Sequence, residues 1–188
     1  MVARAEATAT TAESILDAAV EVFWELPTDQ ISLDEIARRA GVTVQTVIRR
    51  FGGRDGLLAA AVERESEKVR RQRNQAVSGD PAGAVRVLVD HYEVIGDRGL
   101  KMLAEEERIP ALKSIVDQGR AIHRAWCARV FASALARCSG LKRERRLAQL
   151  VAVCDVYTWK LLRRDAGLSR RQTELAMGEL LNPLLEES

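Results

Sequence analysis

The 188-residue chain has no uncharged apolar run of about 18 residues, the length that marks a membrane span. Its first twelve residues, Met1 to Ala12, also lack the basic-then-apolar order of a secretory signal, so a cytoplasmic protein with no membrane partner is expected. Cysteine is sparse. Cys127, Cys138 and Cys154 are odd in number and widely spaced in apolar stretches, which excludes a disulfide framework and leaves buried thiols as the expectation. Histidine is rarer still: neither His91 nor His123 has an acid three or four residues away, so no metal site and no cofactor are expected. A nucleophile with a nearby base, a phosphate-cradling glycine loop and a carboxylate pair in a plausible cleft are all missing, and the chain is read as not an enzyme. There are no internal repeats and no low-complexity segments.

The length allows one substantial domain, or a small module joined to a larger one. Apolar spacing of three to four residues, with little β-branched alternation, predicts an all-α protein. Thr10-x-x-Glu13 reads as a capping box opening a first helix that carries Ile15, Ala18, Ala19, Val22 and Phe23 and ends at Pro27. Ser32-x-x-Glu35 opens a second, stopped at Gly41, and Thr43 caps a third that runs to Phe51 before Gly52-Gly53. A fourth helix starts near Arg54 and becomes densely charged from Glu63 to Arg73, which fits a solvated face or a helix joining two domains. Asp80-Pro81 opens a helix expected to end at Gly96. Further helices are expected at 98–107, from Pro110 to Gly140, at 142–165 and at 169–185. The domain boundaries read in this way are 1–53 and 54–188.

The net charge of +2 does not by itself argue for nucleic acid, but its distribution does. Residues 1–54 hold 6 Arg, no Lys and 8 acids, yet Arg38, Arg39, Arg49, Arg50 and Arg54 fall within 17 residues. Around them Leu33, Ile36, Ala37, Ala40, Gly41, Val42, Val47 and Phe51 form an apolar frame about a tight turn. Two helices crossing at close range need the small Ala37 and a Gly41 free to turn, and this is the signature of a helix-turn-helix. The apolar pattern alone also fits an ordinary helical hairpin. The outer face of the third helix argues against it, because Thr43, Val44, Gln45, Thr46, Ile48, Arg49 and Arg50 include no acid. Glutamine can bond adenine, arginine guanine, and valine can meet a thymine methyl. The expected DNA contacts are Gln45 and Arg49 to bases, Val44 to a thymine methyl, and Thr43, Thr46, Arg50 and Arg54 to phosphates. A helical adaptor that binds only protein is the alternative, and it leaves the acid-free face unexplained.

The stretch Ser32 to Leu58, SLDEIARRAGVTVQTVIRRFGGRDGLL, resembles the DNA-binding domain of the TetR family of repressors. The likeness lies in Ile36-Ala37, the Ala40-Gly41-Val42 turn, Thr46 with its hydrophobic neighbour, Phe51 and Leu57-Leu58; helix one extends it to about residues 11–60. The chain departs from the family at Ile48, commonly Tyr, at Arg50, commonly His, and at Gln45, often Gly. A C-terminal stretch, Asp155 to Arg170, is also similar to other members. The resemblance implies a dimeric repressor with an N-terminal three-helix DNA-binding domain and a larger C-terminal helical domain. That larger domain would hold an unidentified small-molecule effector whose binding releases a double-stranded operator.

Bulky amphipathic side chains that could shape the effector pocket are Tyr92, Met102, His123, Trp126, Tyr157 and Trp159. A homodimer interface is expected on the last two helices. Leu147 to Leu162 is apolar around the whole axis, and one small core cannot cover it all. The residues expected there are Leu150, Val153, Tyr157, Leu161, Met177, Leu180, Leu181 and Leu184, with Pro183 disrupting the final turn.

Overall fold

A computed structural model describes residues 2–26, 30–107 and 110–186 of the chain. Its helices are α1 (Val2–Glu25), α2 (Leu33–Arg39), α3 (Val44–Phe51), α4 (Arg54–Arg73), α5 (Pro81–Glu105), α6 (Pro110–Val130), α7 (Ala132–Ala136), α8 (Gly140–Val153), α9 (Val156–Lys160) and α10 (Arg170–Glu186). A single π-helical turn, Leu161–Asp165, extends α9, and no strand occurs among the described residues. The protein is all-α. Contacts divide it into two compact units, Met1–Glu67 and Lys68–Ser188. The division falls later than residue 53 because Leu57 and Ala61 of α4 are buried in the N-terminal core.

In the first unit Ile15, Leu16, Ala18, Ala19 and Val22 of α1 bury against Ile36, Ala37, Val47, Leu57 and Ala61. Helix α1 begins at Val2, upstream of the expected cap at Thr10. Alanine at every second position from Ala3 to Ala9 favours helix, so Thr10 lies within it and its carbonyl accepts the Ser14 hydroxyl at 3.0 Å. The helix ends at Glu25, and Pro27 lies outside the described residues. Arg64, largely buried, holds α4 to α1 through ion pairs with Glu13 at 3.0 Å and Asp17 at 2.9 Å.

The second unit has one core, in which Leu88, Val89, Leu150, Trp159, Met177 and Leu181 are fully excluded from solvent. Asp80 caps α5 as expected, its Oδ1 accepting from the Gly83 N–H at 2.9 Å. The helix does not stop at Gly96. A Cβ there would lie 2.5 Å from Cζ3 of the buried Trp159, so this glycine permits a close approach inside α5 and terminates nothing. The expected helix from Pro110 to Gly140 is interrupted at Phe131. The expected helix 142–165 is broken at Cys154, because Asp155 caps a new helix through the Tyr157 N–H at 2.9 Å.

That break removes the premise that one helix is apolar on all sides. Leu147, Leu150, Cys154, Val156 and Trp159 turn into the chain's own core, while Tyr157 and Leu161 stay exposed. Helix α10 continues through Pro183, contrary to expectation. Pro183 is exposed and forfeits one hydrogen bond, while Arg137 and the buried Arg146 donate to the terminal carbonyls of Leu185 and Leu184.

Candidate nucleic-acid interface

Helices α2 and α3 are built around one turn. Ser32 Oγ accepts from the Glu35 N–H at 3.2 Å and starts α2. Ala40 and Val42 return their N–H groups to Ile36 (2.9 Å) and Ala37 (3.0 Å), and Gly41 between them sits at φ 66°, where a side chain would be strained. Thr43 then caps α3, its Oγ accepting from the Thr46 N–H at 3.2 Å, and Val47 plugs the crossing at zero exposure. The N–H of Gly52, bonded to the Ile48 carbonyl at 2.8 Å, ends the helix.

Only part of the arginine cluster has charge to spare. The Glu35 carboxylate takes Arg38 Nε at 2.9 Å and Arg39 Nε at 2.7 Å, and Glu25 takes Arg39 Nη1 at 2.5 Å. These bonds, from Arg38 above all, pull Glu35 down to about 2. The carboxylate is therefore turned away from the reciprocal capping bond that Ser32-x-x-Glu35 suggested. Arg38 and Arg39 are neutralised within the unit. Arg49 and Arg50, in contrast, are exposed and form no ion pair among the described residues.

Gln45, Arg49 and Arg50 stand exposed on α3, and Arg54 is exposed at the start of α4. Val44 is half-buried and packed on the core, so less of it is open to a thymine methyl than the sequence implied. Thr43 and Thr46 share a hydroxyl hydrogen bond at 2.9 Å, and capping already occupies Thr43 Oγ. Ile48 is exposed at 40 % on the same surface. An exposed helix face with cations and amides and no acid can bond phosphates and base edges together.

Fold and geometry define the chain as a helix-turn-helix protein with a second, larger helical unit. Residues 15–61 match the profile of the family described as "Bacterial regulatory proteins, tetR family". Over that part of its N-terminal unit the chain is similar to this family. A protein of Mycobacterium tuberculosis named as an uncharacterized HTH-type transcriptional regulator is 35% identical over 78 residues, which is 42% of this chain and 39% of that relative. The match thus spans well under half of the relative. Solved structures extend the likeness of fold to the second unit. A transcriptional regulator from a Rhodococcus species superposes with TM-score 0.68 at 21% identity, covering 93% of this chain and 96% of that one. A regulator from Pseudomonas aeruginosa gives TM-score 0.72 at 17% identity, covering 93% and 89%. The matched family and the relatives are described as regulators, the relatives as regulators of transcription.

In the second unit Tyr92, His123 and Trp126 come together around the buried Arg73. Trp159 lies beyond, its ring 5.9 Å from that of Tyr92 and fully buried. Tyr157 is exposed, and Met102 is half-buried and is not among the side chains packed on the core that holds Tyr92, Trp126 and Trp159. Sequence reasoning missed Arg73 because it closes a charged run that reads as a solvated face. The stretch Asp155 to Arg170 has a structural role: Arg163 pairs with Glu93 at 2.8 Å, Arg164 with Asp97 at 3.0 Å, and Arg170 with Asp90.

Of the residues expected at a dimer interface, Leu150, Met177 and Leu181 are fully buried in their own core and offer a partner no surface. Val153 and Leu184 are half-buried. Tyr157, Leu161 and Leu180 are exposed, and so is Leu175. No helix among the described residues is long and apolar enough to cross a membrane.

Proposed function

We propose that the chain is a cytoplasmic transcriptional repressor that binds a palindromic operator as a homodimer and is released by a small-molecule effector held in its second unit. The observation that carries this is the exposed face of α3. Gln45, Arg49 and Arg50 stand there without an acidic neighbour on the helix, while the adjacent Arg38 and Arg39 are held by carboxylates. A face kept cationic beside one that is neutralised suits a polyanion read at base edges. Gln45 and Arg49 would read bases; Arg50, Arg54 and Thr46 would hold phosphates. Four exposed apolar side chains, Tyr157, Leu161, Leu175 and Leu180, supply a surface for a second copy. The effector reading rests on family likeness and on the amphipathic groups gathered inside the second unit.

The test is selection of duplexes from a random pool by the purified full chain, followed by sequencing of what it retains. A palindrome with half-sites one helical turn apart, or a multiple of one turn, is expected. Retention of duplex without any sequence enrichment would overturn the base-reading role, and no retention at low salt would overturn DNA binding.

A further inference from the structure

Arg73 is a buried cation with no carboxylate partner among the described residues. Only 6 % of it is exposed, and its hydrogen bonds go to neutral partners: Nη1 to His123 Nδ1 at 3.1 Å and Nη2 to the Tyr92 hydroxyl at 3.4 Å. Nε is buried and has no partner. The guanidinium carbon lies 5.3 Å from the Tyr92 ring centroid and 5.2 Å from that of Trp126, so aromatic faces take the place of a counter-ion. Burying an ionised group without a pairing charge is among the costliest arrangements a core can hold.

The neighbours are fixed in neutral forms by geometry. Arginine has no acceptor, so His123 Nδ1 must accept, which leaves the proton on Nε2, facing the Val151 carbonyl at 3.3 Å and Cys127 Sγ at 3.8 Å. Tyr92 donates its hydroxyl proton to the Cys154 carbonyl at 2.9 Å and accepts from Arg73. Burial, and after it the Arg73 charge, holds His91 down to about 3, hence uncharged. The internal group closest to an anion is Cys127, brought down to about 6 chiefly by a hydrogen bond from Cys154, yet Arg73 makes no hydrogen bond to its sulfur.

We propose that Arg73 is the anchor for the acidic group of the effector, and that the second unit takes a monocarboxylic acid with an apolar body. This rests on the effector reading of that unit and names its chemistry. Two of the five guanidinium N–H groups are engaged, and a planar carboxylate matches the fork of those that remain. A single charge is favoured because the neighbouring Arg129 directs its N–H groups at the carbonyls of Ala76 and Arg73 and at Asn74 Oδ1. Tyr92 and Trp126 make the surroundings of the guanidinium apolar, and Trp126 is fixed by its Nε1–H bond to the Arg73 carbonyl at 2.9 Å.

The experiment uses the full chain and matched probes: decanoate against decanol, benzoate against benzyl alcohol, and indole-3-acetate against indole-3-ethanol. Binding is read by calorimetry and thermal shift for the wild type, Arg73→Met, Arg73→Lys and Cys127→Ser. At least one acid should bind the wild type about tenfold or more tightly than its alcohol. Arg73→Met should remove that difference while leaving the alcohol unaffected, and Arg73→Lys and Cys127→Ser should retain part or all of it. Unliganded Arg73→Met should unfold no more easily than the wild type, since an uncompensated charge is gone. Acids that bind no better than alcohols, or that bind Arg73→Met undiminished, overturn the proposal. So does a Cys127 thiol whose titration moves up in Arg73→Met while no acid binds the wild type, because the thiolate is then the counter-ion. Acid held through Arg73 without effect on operator affinity supports this site and removes the effector reading. Release of operator by the alcohols alone keeps that reading and overturns this site.

Discussion

Substituting Gly96 by alanine places a methyl group where Trp159 already lies. The added Cβ would meet Cζ3 at 2.5 Å, Cη2 at 2.8 Å and Cε3 at 3.0 Å, all inside ordinary contact distance. The ring has little room to yield, because Trp159 is fully buried, its Nε1–H is held by Glu93 at 3.2 Å and the Arg164 guanidinium covers it at 4.5 Å. Overpacking of this kind costs about 1–3 kcal/mol, and a pinned ring argues for the upper end. Alanine recovers about 1 kcal/mol of helix propensity in α5. The net expectation for Gly96→Ala is a loss of about 2 kcal/mol. Urea denaturation followed by tryptophan emission measures it, since Trp126 and Trp159 both lie in the second unit and Trp24 alone in the first. A double variant with Trp159→Phe, which shortens the ring, should recover part of the loss. A Gly96→Ala protein as stable as the wild type would refute the close-approach argument and return Gly96 to the status of an incidental helix residue.

Removing the cap of α3 with Thr43→Ala should cost the first unit about 1 kcal/mol, with Thr43→Ser close to neutral, both read from thermal melts. His91 gives a pH dependence. Its pKa falls from 6.5 to about 3 on folding, so below 6.5 the unfolded chain binds a proton that the folded chain refuses. Stability from this residue is full above about pH 6.5 and is lost as pH falls towards 3, by about 2 kcal/mol at pH 5. Denaturation of the wild type and His91→Gln at pH 5 and 7.5 should show that difference, and parallel losses in the two proteins would discount it. Leu161→Asp with Leu180→Asp should yield a folded monomer by light scattering, with operator affinity lost. An unchanged dimer would place the interface elsewhere.

The first unit was legible because its information is local. Ser32, Gly41 and Thr43 each act within a few residues of their partners, and period, caps and turn agree there. Its electrostatics were less so, since whether Arg39 is spent or available depends on Glu25, fourteen residues away in sequence. In the second unit the misreadings have different causes. Gly96 looks like a helix stop, but Trp159 packed beside it lets α5 run on, whereas Asp155, read inside one continuous helix, caps a new one through the nearby Tyr157 N–H. Arg73 reads as solvated, and only the arrival of Tyr92, His123 and Trp126 from other helices buries it. The apolar surplus after Leu147 was real, but a break at Cys154 divides it between a core and an exposed face, which no single-helix projection can show.

The central claim is that the exposed face of α3 reads bases. It is tested most directly by titrating wild type, Gln45→Ala and Arg49→Ala against a selected duplex and its scrambled counterpart at one fixed salt concentration. Each substitution should weaken binding to the selected duplex by about 1–3 kcal/mol and leave the scrambled duplex nearly unaffected. Equal losses on the two duplexes would contradict the account and reduce Gln45 and Arg49 to backbone contacts.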